Sequence, residues 1–390
     1  MLKEIVHETP LEYNTTFSEL TGNQIYLKLE NLQKTGSFKV RGAFNKIMQL
    51  SEEERKKGVI TASAGNHGQG VALAAKKSGI KALIVVPKRT PIIKIQAIKN
   101  YDAEIIEYGN NFDEAYQEAQ KIQKEKNMKF IEAFNDLDVI IGQGTIGLEI
   151  IKQLPDVDII VVPIGGGGLI SGISLYCKEK NPEIKIIGVQ SEGVQSLYHS
   201  FKKGKFEIPK TTDTIAEGIA VKRPGDKTFE IIKKKVDDIV TVNDEEIANA
   251  ILMLMERAKL IVEGAGAVPL AAILNNKILV KNKKIVLVLS GGNIDITLID
   301  KIILKGLIKA GRLLKFSTII KDVPGSLSNL LEIIAKEGGN IISIIHDRSR
   351  ADLLFKEAEI EIELETKDHE HISNILKSLK ELNYQIIVEK

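Results

Sequence analysis

The chain has 390 residues, enough for two or three domains that each bury a core of their own. Hydrophobic residues make up 43% and charged residues 27%, a balance typical of a folded globular protein and not of a disordered one. Because 54 basic and 52 acidic side chains leave a net charge of only +2, nothing favours a nucleic acid or an anionic membrane as a partner. No apolar run approaches the roughly 18 residues of a membrane span. No targeting segment is recognisable either, so we expect a cytoplasmic protein without membrane association.

Short apolar runs alternate with amphipathic helical stretches from about residue 58 onward. The runs predict buried strands at 59–61, 82–86, 105–106, 159–162, 186–189 and 285–289. Helical patterns lie between them, for example at 112–125 and 144–154. This alternation predicts an α/β protein with mainly parallel sheets, in which ligands bind at the carboxyl ends of the strands.

The pattern changes after about residue 312. It predicts strand 316–320, helix 326–336, strand 340–345, strand 355–364, helix 368–382 and strand 385–388. The order βαββαβ is that of a ferredoxin-like module. We therefore expect a separate C-terminal domain at 313–390.

A lysine follows turn-forming residues near the start of a predicted helix. Thr35-Gly36-Ser37 should end one element and begin the next, which can bring the amine of Lys39 to a cleft at the strand ends. Lysine can form a Schiff base with an aldehyde. Taken alone, Lys39 is more simply interpreted as a solvated surface residue, and only the neighbouring motifs favour a chemical role.

Four consecutive glycines, Gly165, Gly166, Gly167 and Gly168, follow the predicted strand 159–162, and a helical pattern resumes at Leu169. Glycines at the start of a helix let backbone N–H groups approach a phosphate closely. Structural turns and dinucleotide sites also use glycine, but the run fits neither the dinucleotide nor the nucleoside triphosphate fingerprint. The pattern favours a phosphate cradle.

A polar loop follows the first of these strands. It comprises Ser63, Ala64, Gly65, Asn66 and His67. Such a loop can direct hydroxyl and amide donors toward a substrate carboxylate, with Asn66 facing a cofactor ring. The alternative is a plain helix start, with Ser63 as N-cap and His67 on the surface.

The chemistry of these three segments suits one molecule. A lysine can attach an aldehyde, a glycine loop can hold a phosphate, and an asparagine can donate to a phenolic oxygen. Pyridoxal 5'-phosphate carries all three groups. The sequence therefore predicts pyridoxal 5'-phosphate as cofactor.

The motifs as a set resemble the signature segments of fold-type II pyridoxal-phosphate enzymes, specifically the threonine/serine dehydratases. The resemblance covers essentially residues 1–312, in the order Ser37-Phe38-Lys39-Val40-Arg41-Gly42-Ala43, Ser63-Ala64-Gly65-Asn66-His67, the tetraglycine and Ser290-Gly291-Gly292-Asn293. It extends to Gly142-Gln143-Gly144-Thr145 and Glu263-Gly264-Ala265-Gly266-Ala267. The resemblance implies a large cofactor-binding α/β domain formed by 1–35 and 140–312, and a smaller α/β domain at 36–139.

The same resemblance assigns roles to individual residues. Lys39 is expected to be the Schiff-base lysine and general base, with Phe38 packed beside the cofactor and Asn66 bonded to its phenolic oxygen. The tetraglycine and Leu169 are expected to bind the phosphate, and Ser290 to face the pyridine nitrogen. The segment Ser63, Ala64, Gly65, Asn66 and His67 is expected to bind the substrate.

The implied reaction is β-elimination and deamination. Threonine would yield 2-oxobutanoate and ammonia, and serine would yield pyruvate. The remaining alternatives are a serine-selective dehydratase, another β-eliminating or β-replacing enzyme of the same fold, and an amino-acid sensor without catalytic activity.

Two positions depart from the similar serine racemases. Ala64 replaces a serine that can reprotonate the opposite face of the substrate, which disfavours racemisation. Gln190 stands where those enzymes place an acidic metal ligand, so we expect no metal site.

The C-terminal module resembles an ACT domain, a small-molecule sensor, on the basis of Asp322-Val323-Pro324-Gly325-Ser326-Leu327 and Gly338-Gly339-Asn340-Ile341. The resemblance implies a homo-oligomer, dimer or tetramer, with an amino-acid effector contacting Gly325 and Asn340. Isoleucine is the first candidate because 2-oxobutanoate is used in its synthesis. The alternative is a module that only holds oligomers together.

Overall fold

The computed structural model describes residues 5–208 and 213–389. Contacts between residues divide the chain into two compact units, Met1–Ile294 and Asp295–Lys390. No helix among the described residues is both long enough and apolar enough to cross a bilayer.

The first unit is built from alternating strands and helices. Its described strands are β1 (Leu11–Tyr13), β2 (Gln24–Lys28), β3 (Val59–Ala62), β4 (Ala82–Val86), β5 (Glu104–Glu107), β6 (Lys129–Phe130), β7 (Ile159–Pro163), β8 (Lys185–Ser191), β9 (Asp238–Val242) and β10 (Lys284–Val288). Its described α-helices are α1 (Thr15–Thr21), α2 (Lys39–Met48), α3 (Glu52–Lys57), α4 (Asn66–Lys77), α5 (Ile92–Lys99), α6 (Phe112–Lys126), α7 (Leu137–Gln153), α8 (Gly168–Lys180), α9 (Ser196–Lys203), α10 (Asp226–Lys235), α11 (Asp244–Met253) and α12 (Gly264–Leu274).

The strands form two sheets. The larger sheet has the order β1-β2-β10-β7-β8-β9, in which only β1 pairs antiparallel. The smaller sheet has the order β5-β4-β3-β6 and is entirely parallel. The predicted α/β class with two parallel-sheet regions is confirmed, whereas the residue boundaries 1–35, 36–139 and 140–312 stay predictions.

Apolar side chains pack the helices against each of the two sheets. The central strands are buried on both faces, as continuous runs such as Ile159–Pro163 require. One core cluster joins β7, β8 and β10 to the helices α7, α8 and α10, and another joins β3 and β4 to α2 and α4. The carboxyl ends of β3, β7 and β10 carry the polar and glycine-rich loops.

Helix α7 begins seven residues before the predicted start at 144, so that boundary was wrong. Asp136 caps the helix, because its side chain accepts from the N–H groups of Asp138 and Val139. Glycines inside α7 lie where neighbouring helices cross it closely, and they do not break the helix. A Cβ at Gly142 would lie 2.6 Å from the carbonyl oxygen of Arg41 on α2. A Cβ at Gly144 would lie 2.8 Å from the carbonyl oxygen of Gly172 on α8.

The second unit is a helix followed by a ferredoxin-like module. Its described elements are α13 (Ile296–Lys309), β11 (Leu313–Lys321), α14 (Ser326–Lys336), β12 (Asn340–Asp347), β13 (Glu357–Glu365), α15 (His369–Glu381) and β14 (Ile386–Val388). The antiparallel sheet has the order β12-β13-β11-β14. The predicted βαββαβ order is confirmed.

Alternation along β13 explains how this module buries its core. Ala358, Ile360, Ile362 and Leu364 are buried, while glutamates occupy the positions between them. The apolar face packs against Leu330 and Ile334 of α14 and Ile375 and Leu379 of α15. One face of the sheet therefore belongs to the core, and the other carries the β13 glutamates together with Ile319, Ile345 and Ile387 from the neighbouring strands.

Candidate active site

Lys39 is the first residue of α2, and its amine points into the protein. Its Nζ donates to the carbonyl oxygen of Ala133 at 3.1 Å and lies 5.2 Å from the centre of the Phe38 ring. Burial lowers the pKa of the Lys39 amine to about 8, and the charge of Glu263 acts in the opposite direction. A much larger fraction of this amine is neutral near pH 7 than for an exposed lysine. The interpretation of Lys39 as a solvated surface residue is wrong.

A buried ionic network holds the helix that carries Lys39. Arg41, fully buried, donates Nε and Nη2 to Glu30 at 2.8 and 2.7 Å, and Nη1 to Glu149 at 2.6 Å. The Nζ of Lys28 also donates to Glu149 at 2.6 Å. Both carboxylates and both cations are thus paired, as buried charges must be. The network ties the start of α2 to the end of β2 and to α7.

The polar loop after β3 adopts a helix start, but not the one proposed as the plain alternative. Helix α4 begins at Asn66 with Gly65 as its N-cap residue, and the Ser63 hydroxyl accepts from Gly65 N at 3.2 Å. His67 is buried and not on the surface, with its Nε2 2.9 Å from the carbonyl oxygen of Ile131. Burial, together with the charge of Lys39, lowers the pKa of His67 to about 3, so its ring is neutral.

The tetraglycine joins β7 to α8 and leaves no space for a side chain at Gly166, Gly167 or Gly168. Gly167 has φ +93°, and a Cβ there would lie 2.9 Å from Thr228. A Cβ at Gly166 would lie 2.4 Å from the Phe134 ring. Since α8 begins at Gly168, the loop and the helix N-terminus together present N–H groups suited to a phosphate.

The residues Ala133 and Phe134 connect the lysine to the glycine loop. The carbonyl of Ala133 accepts from Lys39, and the next residue, Phe134, lies against Gly166 and Gly168. Leu169, which follows the loop in the sequence, is buried. The structure therefore brings Lys39 and the predicted phosphate cradle to one place.

Ser290 follows β10 and is buried beside the lysine segment. Its carbonyl oxygen accepts from the N–H of Phe38 at 3.1 Å, and a β-bridge pairs Ser37 with Gly291. These contacts join the end of β10 to the residues immediately before Lys39. Ser290 thus lies next to the segment that carries the proposed reactive amine.

Glu263 and Asn293 also contact this site, although the sequence analysis gave neither a role. Asn66 Nδ2 lies 2.8 and 3.0 Å from the two carboxylate oxygens of Glu263, and Asn66 Oδ1 accepts from Nδ2 of Asn293 at 2.7 Å. Burial raises the pKa of Glu263 to about 7, against the opposing effects of the Asn66 hydrogen bond and the charge of Lys39. Glu263 and Asn293 both belong to motifs that carry the family resemblance. That membership was the only signal in the sequence that could have found them.

The residues present fit pyridoxal 5'-phosphate. A buried amine with a lowered pKa suits attachment of an aldehyde. A loop that admits only glycine at Gly166 and Gly167 suits a phosphate, and the amide of Asn66 suits a phenolic oxygen.

Gln190 stands where the similar serine racemases place an acidic metal ligand, and its amide makes hydrogen bonds to the backbone. Gln190 is fully buried, and its Oε1 accepts from Tyr198 N at 2.7 Å while its Nε2 donates to Ile164 O at 3.4 Å. Within residues 5–208 and 213–389, no group of three or more histidine, cysteine, aspartate or glutamate side chains could hold a metal ion.

The two residues predicted to contact an effector lie in the second unit. Gly325 precedes α14 with φ +94°, and a Cβ there would meet open space. Asn340 begins β12 and donates Nδ2 to Glu365 at 3.0 Å. Their role in effector binding stays a prediction.

Comparisons with known proteins agree with the geometry. The family described as pyridoxal-phosphate dependent enzymes matches residues 2–291, and the ACT domain family matches residues 317–383. The L-threonine ammonia-lyase of Thermotoga maritima is 54% identical over 99% of this chain and 96% of its own length. The match to this relative therefore spans both the pyridoxal-phosphate enzyme region and the ACT domain.

Solved structures give the same result for the catalytic part. The processed form of threonine deaminase isoform 2 from Solanum lycopersicum has a TM-score of 0.75 at 41% identity, covering 77% of this chain and 88% of that one. Maize serine racemase has a TM-score of 0.74 at 37% identity, covering 79% and 95%. This chain belongs to the pyridoxal-phosphate dependent enzymes of fold type II and carries a C-terminal ACT domain.

Proposed function

We propose that this protein is a threonine ammonia-lyase, which converts L-threonine to 2-oxobutanoate and ammonia and also converts L-serine to pyruvate. The full-length similarity to the Thermotoga maritima L-threonine ammonia-lyase supports the choice of threonine. The structural observation that carries the proposal is the link from Lys39 to the glycine loop: the amine donates to Ala133, and the next residue, Phe134, lies against Gly166 and Gly168.

The cofactor and the lysine divide the chemistry. Pyridoxal phosphate supplies an aldehyde that condenses with amines and a ring that accepts electron density from Cα of an amino acid. Lys39 Nζ serves as the base that removes the proton from Cα of the substrate. The lowered pKa of this amine leaves roughly a tenth of it neutral near pH 7, far more than for an exposed lysine, and the neutral form is the one that can accept a proton.

The surrounding residues orient the reactants. We assign the loop Ser63, Ala64, Gly65, Asn66 and His67 to the substrate carboxylate, because it lies at the carboxyl end of β3 and starts a helix. Phe38 and Asn66 are assigned to the cofactor ring, Ser290 to its pyridine nitrogen, and the tetraglycine with Leu169 to its phosphate. A serine hydroxyl does not hold that nitrogen protonated, which favours elimination over transamination.

Racemisation is the second reaction that the fold supports, because maize serine racemase is a structural neighbour. The side chain of Ala64 cannot carry a proton. A racemase must protonate the face opposite to its lysine, so Ala64 favours the lyase over the racemase. A serine-selective dehydratase differs from the proposal only in the fit of one methyl group, which is worth about 1–3 kcal/mol.

The ACT domain is proposed to bind an amino-acid effector at Gly325 and Asn340, with isoleucine as the first candidate. We further propose a homo-oligomer, dimer or tetramer, located in the cytoplasm. Helix α7 exposes Leu137, Ile141 and Leu148, which supports a covered surface in the assembled protein. The effector must bind two conformations unequally to regulate the enzyme.

Steady-state kinetics with L-threonine and L-serine tests the proposal. We expect formation of 2-oxobutanoate, a higher kcat/KM for threonine than for serine, and a changed initial rate on addition of isoleucine. The protein should lose this activity on removal of pyridoxal phosphate and regain it on addition. Production of D-serine from L-serine at a rate above that of pyruvate would contradict the lyase assignment.

A further inference from the structure

Asn293 joins two segments of the site that come from distant parts of the sequence. Its Nδ2 donates to the carbonyl oxygen of Thr35 at 2.7 Å and to Oδ1 of Asn66 at 2.7 Å. Thr35 lies four residues before Lys39, and Asn66 begins α4. The side chain of Asn293 is exposed, so it meets these oxygens from the solvent side of the site.

The hydrogen bonds allow only one orientation of the Asn66 amide when Glu263 is ionised. A carboxylate only accepts, so the nitrogen end of Asn66 must face Glu263, where it lies 2.8 and 3.0 Å from the two oxygens. The oxygen end must then face a donor, and Nδ2 of Asn293 is that donor. Asn293 therefore donates to Asn66, and Asn66 donates to Glu263.

The carboxyl group alone cannot maintain this order at neutral pH. Burial raises the pKa of Glu263 to about 7, with the Asn66 hydrogen bond opposing and the charges of Lys39, Glu217 and Lys94 also acting on it. A protonated carboxyl group can donate as well as accept, so it tolerates either end of the Asn66 amide. The carbonyl of Thr35 does not titrate, and it keeps Nδ2 of Asn293 in place at any pH.

We propose that Asn293 is a positioning residue, which fixes the Asn66 amide so that its nitrogen and not its oxygen is available to the phenolic oxygen of the cofactor. The amide nitrogen carries two N–H bonds, so it can serve Glu263 and the cofactor together. This inference rests on the proposed function of Asn66 and deepens it. Asn293 acts through Asn66 and is not assigned a contact with the substrate.

The alternative role of Asn293 is to hold the backbone at Thr35. Thr35 has φ +69°, a left-handed conformation that is strained for a β-branched residue, and Gly36 follows with φ +68°. A Cβ at Gly36 would lie 2.6 Å from Oδ1 of Asn293, so the two segments are in close contact. Replacement of Thr35 by glycine relieves this strain and separates the two roles.

A double-mutant cycle on cofactor affinity tests the proposal. Asn293→Ala should weaken binding of pyridoxal phosphate by about threefold to tenfold, the value of one or two neutral hydrogen bonds. The same change in the Asn66→Ala protein should have no effect, because its target is absent. An equal loss in both proteins would overturn the proposal. Restoration of affinity to the Asn293→Ala protein by Thr35→Gly would also overturn it.

The pH dependence and the absorption spectrum give independent readouts. The loss caused by Asn293→Ala should be greater near pH 6, where Glu263 is mostly protonated, than near pH 8. It should be accompanied by a shift of the visible absorption band of the bound cofactor. A loss no greater at the lower pH, with an unshifted band, would overturn the assignment. The effects of Asn293→Ala and Asn66→Ala on cofactor affinity could prove non-additive in a protein that does not turn over threonine. That result would refute the proposed reaction and leave the positioning role of Asn293 supported.

Discussion

The carbonyl oxygen of Ala133 accepts a hydrogen bond from Nζ of Lys39 at 3.1 Å. The neighbouring Phe134 lies against Gly166 and Gly168, so one short segment contacts both the amine of Lys39 and the glycine loop. Residues 133–134 therefore hold the proposed Schiff-base lysine close to the proposed phosphate loop.

Removal of the amine tests the role of Lys39 as base. Lys39→Ala should lower kcat for threonine by at least about 100-fold, the lower range for loss of a general base. Exposed Lys56 on α3 provides the matched control, and Lys56→Ala should leave kcat unchanged. Retention of full activity by the Lys39 variant would contradict the assignment.

The lowered pKa of Lys39 predicts how cofactor attachment depends on pH. Only the neutral amine attacks an aldehyde, so the rate of attachment to the cofactor-free protein should rise with pH and level off above about pH 8. Stopped-flow absorbance after mixing with pyridoxal phosphate measures this rate. A rise that continues to the ordinary lysine pKa of about 10.4 would show that burial does not act on this amine.

The buried network around Arg41 should contribute strongly to stability. Arg41→Ala leaves the buried carboxylate of Glu30 without its cation and leaves Glu149 paired with Lys28 alone. The change should lower the free energy of unfolding by about 3–5 kcal/mol. Arg223 pairs with Asp226 on the surface, so Arg223→Ala should cost only about 0–1 kcal/mol. Urea unfolding of the cofactor-free proteins compares the two. Equal costs would contradict the structural role of the buried network.

Protonation of Glu263 links stability to pH. Its pKa is raised on folding from 4.5 to about 7, so the folded state binds more protons than the unfolded state between these values. The contribution of this group is therefore present below about pH 4.5 and is lost as the pH rises through about 7. The size of the loss is on the order of 3 kcal/mol.

Glu263→Gln removes this titration while keeping an oxygen that can accept from Asn66. The variant should therefore gain stability relative to the native protein as the pH rises from about 5 to about 8. Urea unfolding of the cofactor-free proteins across this range provides the measurement. A constant difference between the two proteins would show that Glu263 does not titrate in this range.

The glycine loop should tolerate no side chain at Gly167. Gly167→Ala places a Cβ 2.9 Å from Thr228 and should weaken cofactor binding by at least about tenfold. Gly204 also has a positive φ, +70°, but a Cβ there meets open space. Gly204→Ala should therefore cost some stability without changing cofactor affinity, as measured by fluorescence titration. A Gly167→Ala protein with native affinity would contradict the phosphate cradle.

Local patterns predicted most of the fold. Continuous apolar runs marked β4 and β7 within a residue of their observed ends, because buried parallel strands need little else. Helix α14 begins and ends where predicted. The start of α7 was missed because glycines at helix crossings resemble breaks when the neighbouring helix is not known.

The candidate site was predictable only where its residues are consecutive. Lys39 and the tetraglycine are visible as local motifs, and the structure places them together through Ala133 and Phe134. The contact between Asn66 and Glu263 spans 197 residues, and that between Asn66 and Asn293 spans 227. No periodicity or spacing encodes such pairs, so their roles emerge only from the folded chain.

Reduction of the reconstituted protein with borohydride identifies the amine that holds the cofactor. The reagent fixes the cofactor to the amine that holds it, and peptide mass analysis identifies that residue. We expect a single label on Lys39, with loss of the visible absorption band. A label on a different lysine, or no label on a protein that retains its colour, would contradict this expectation.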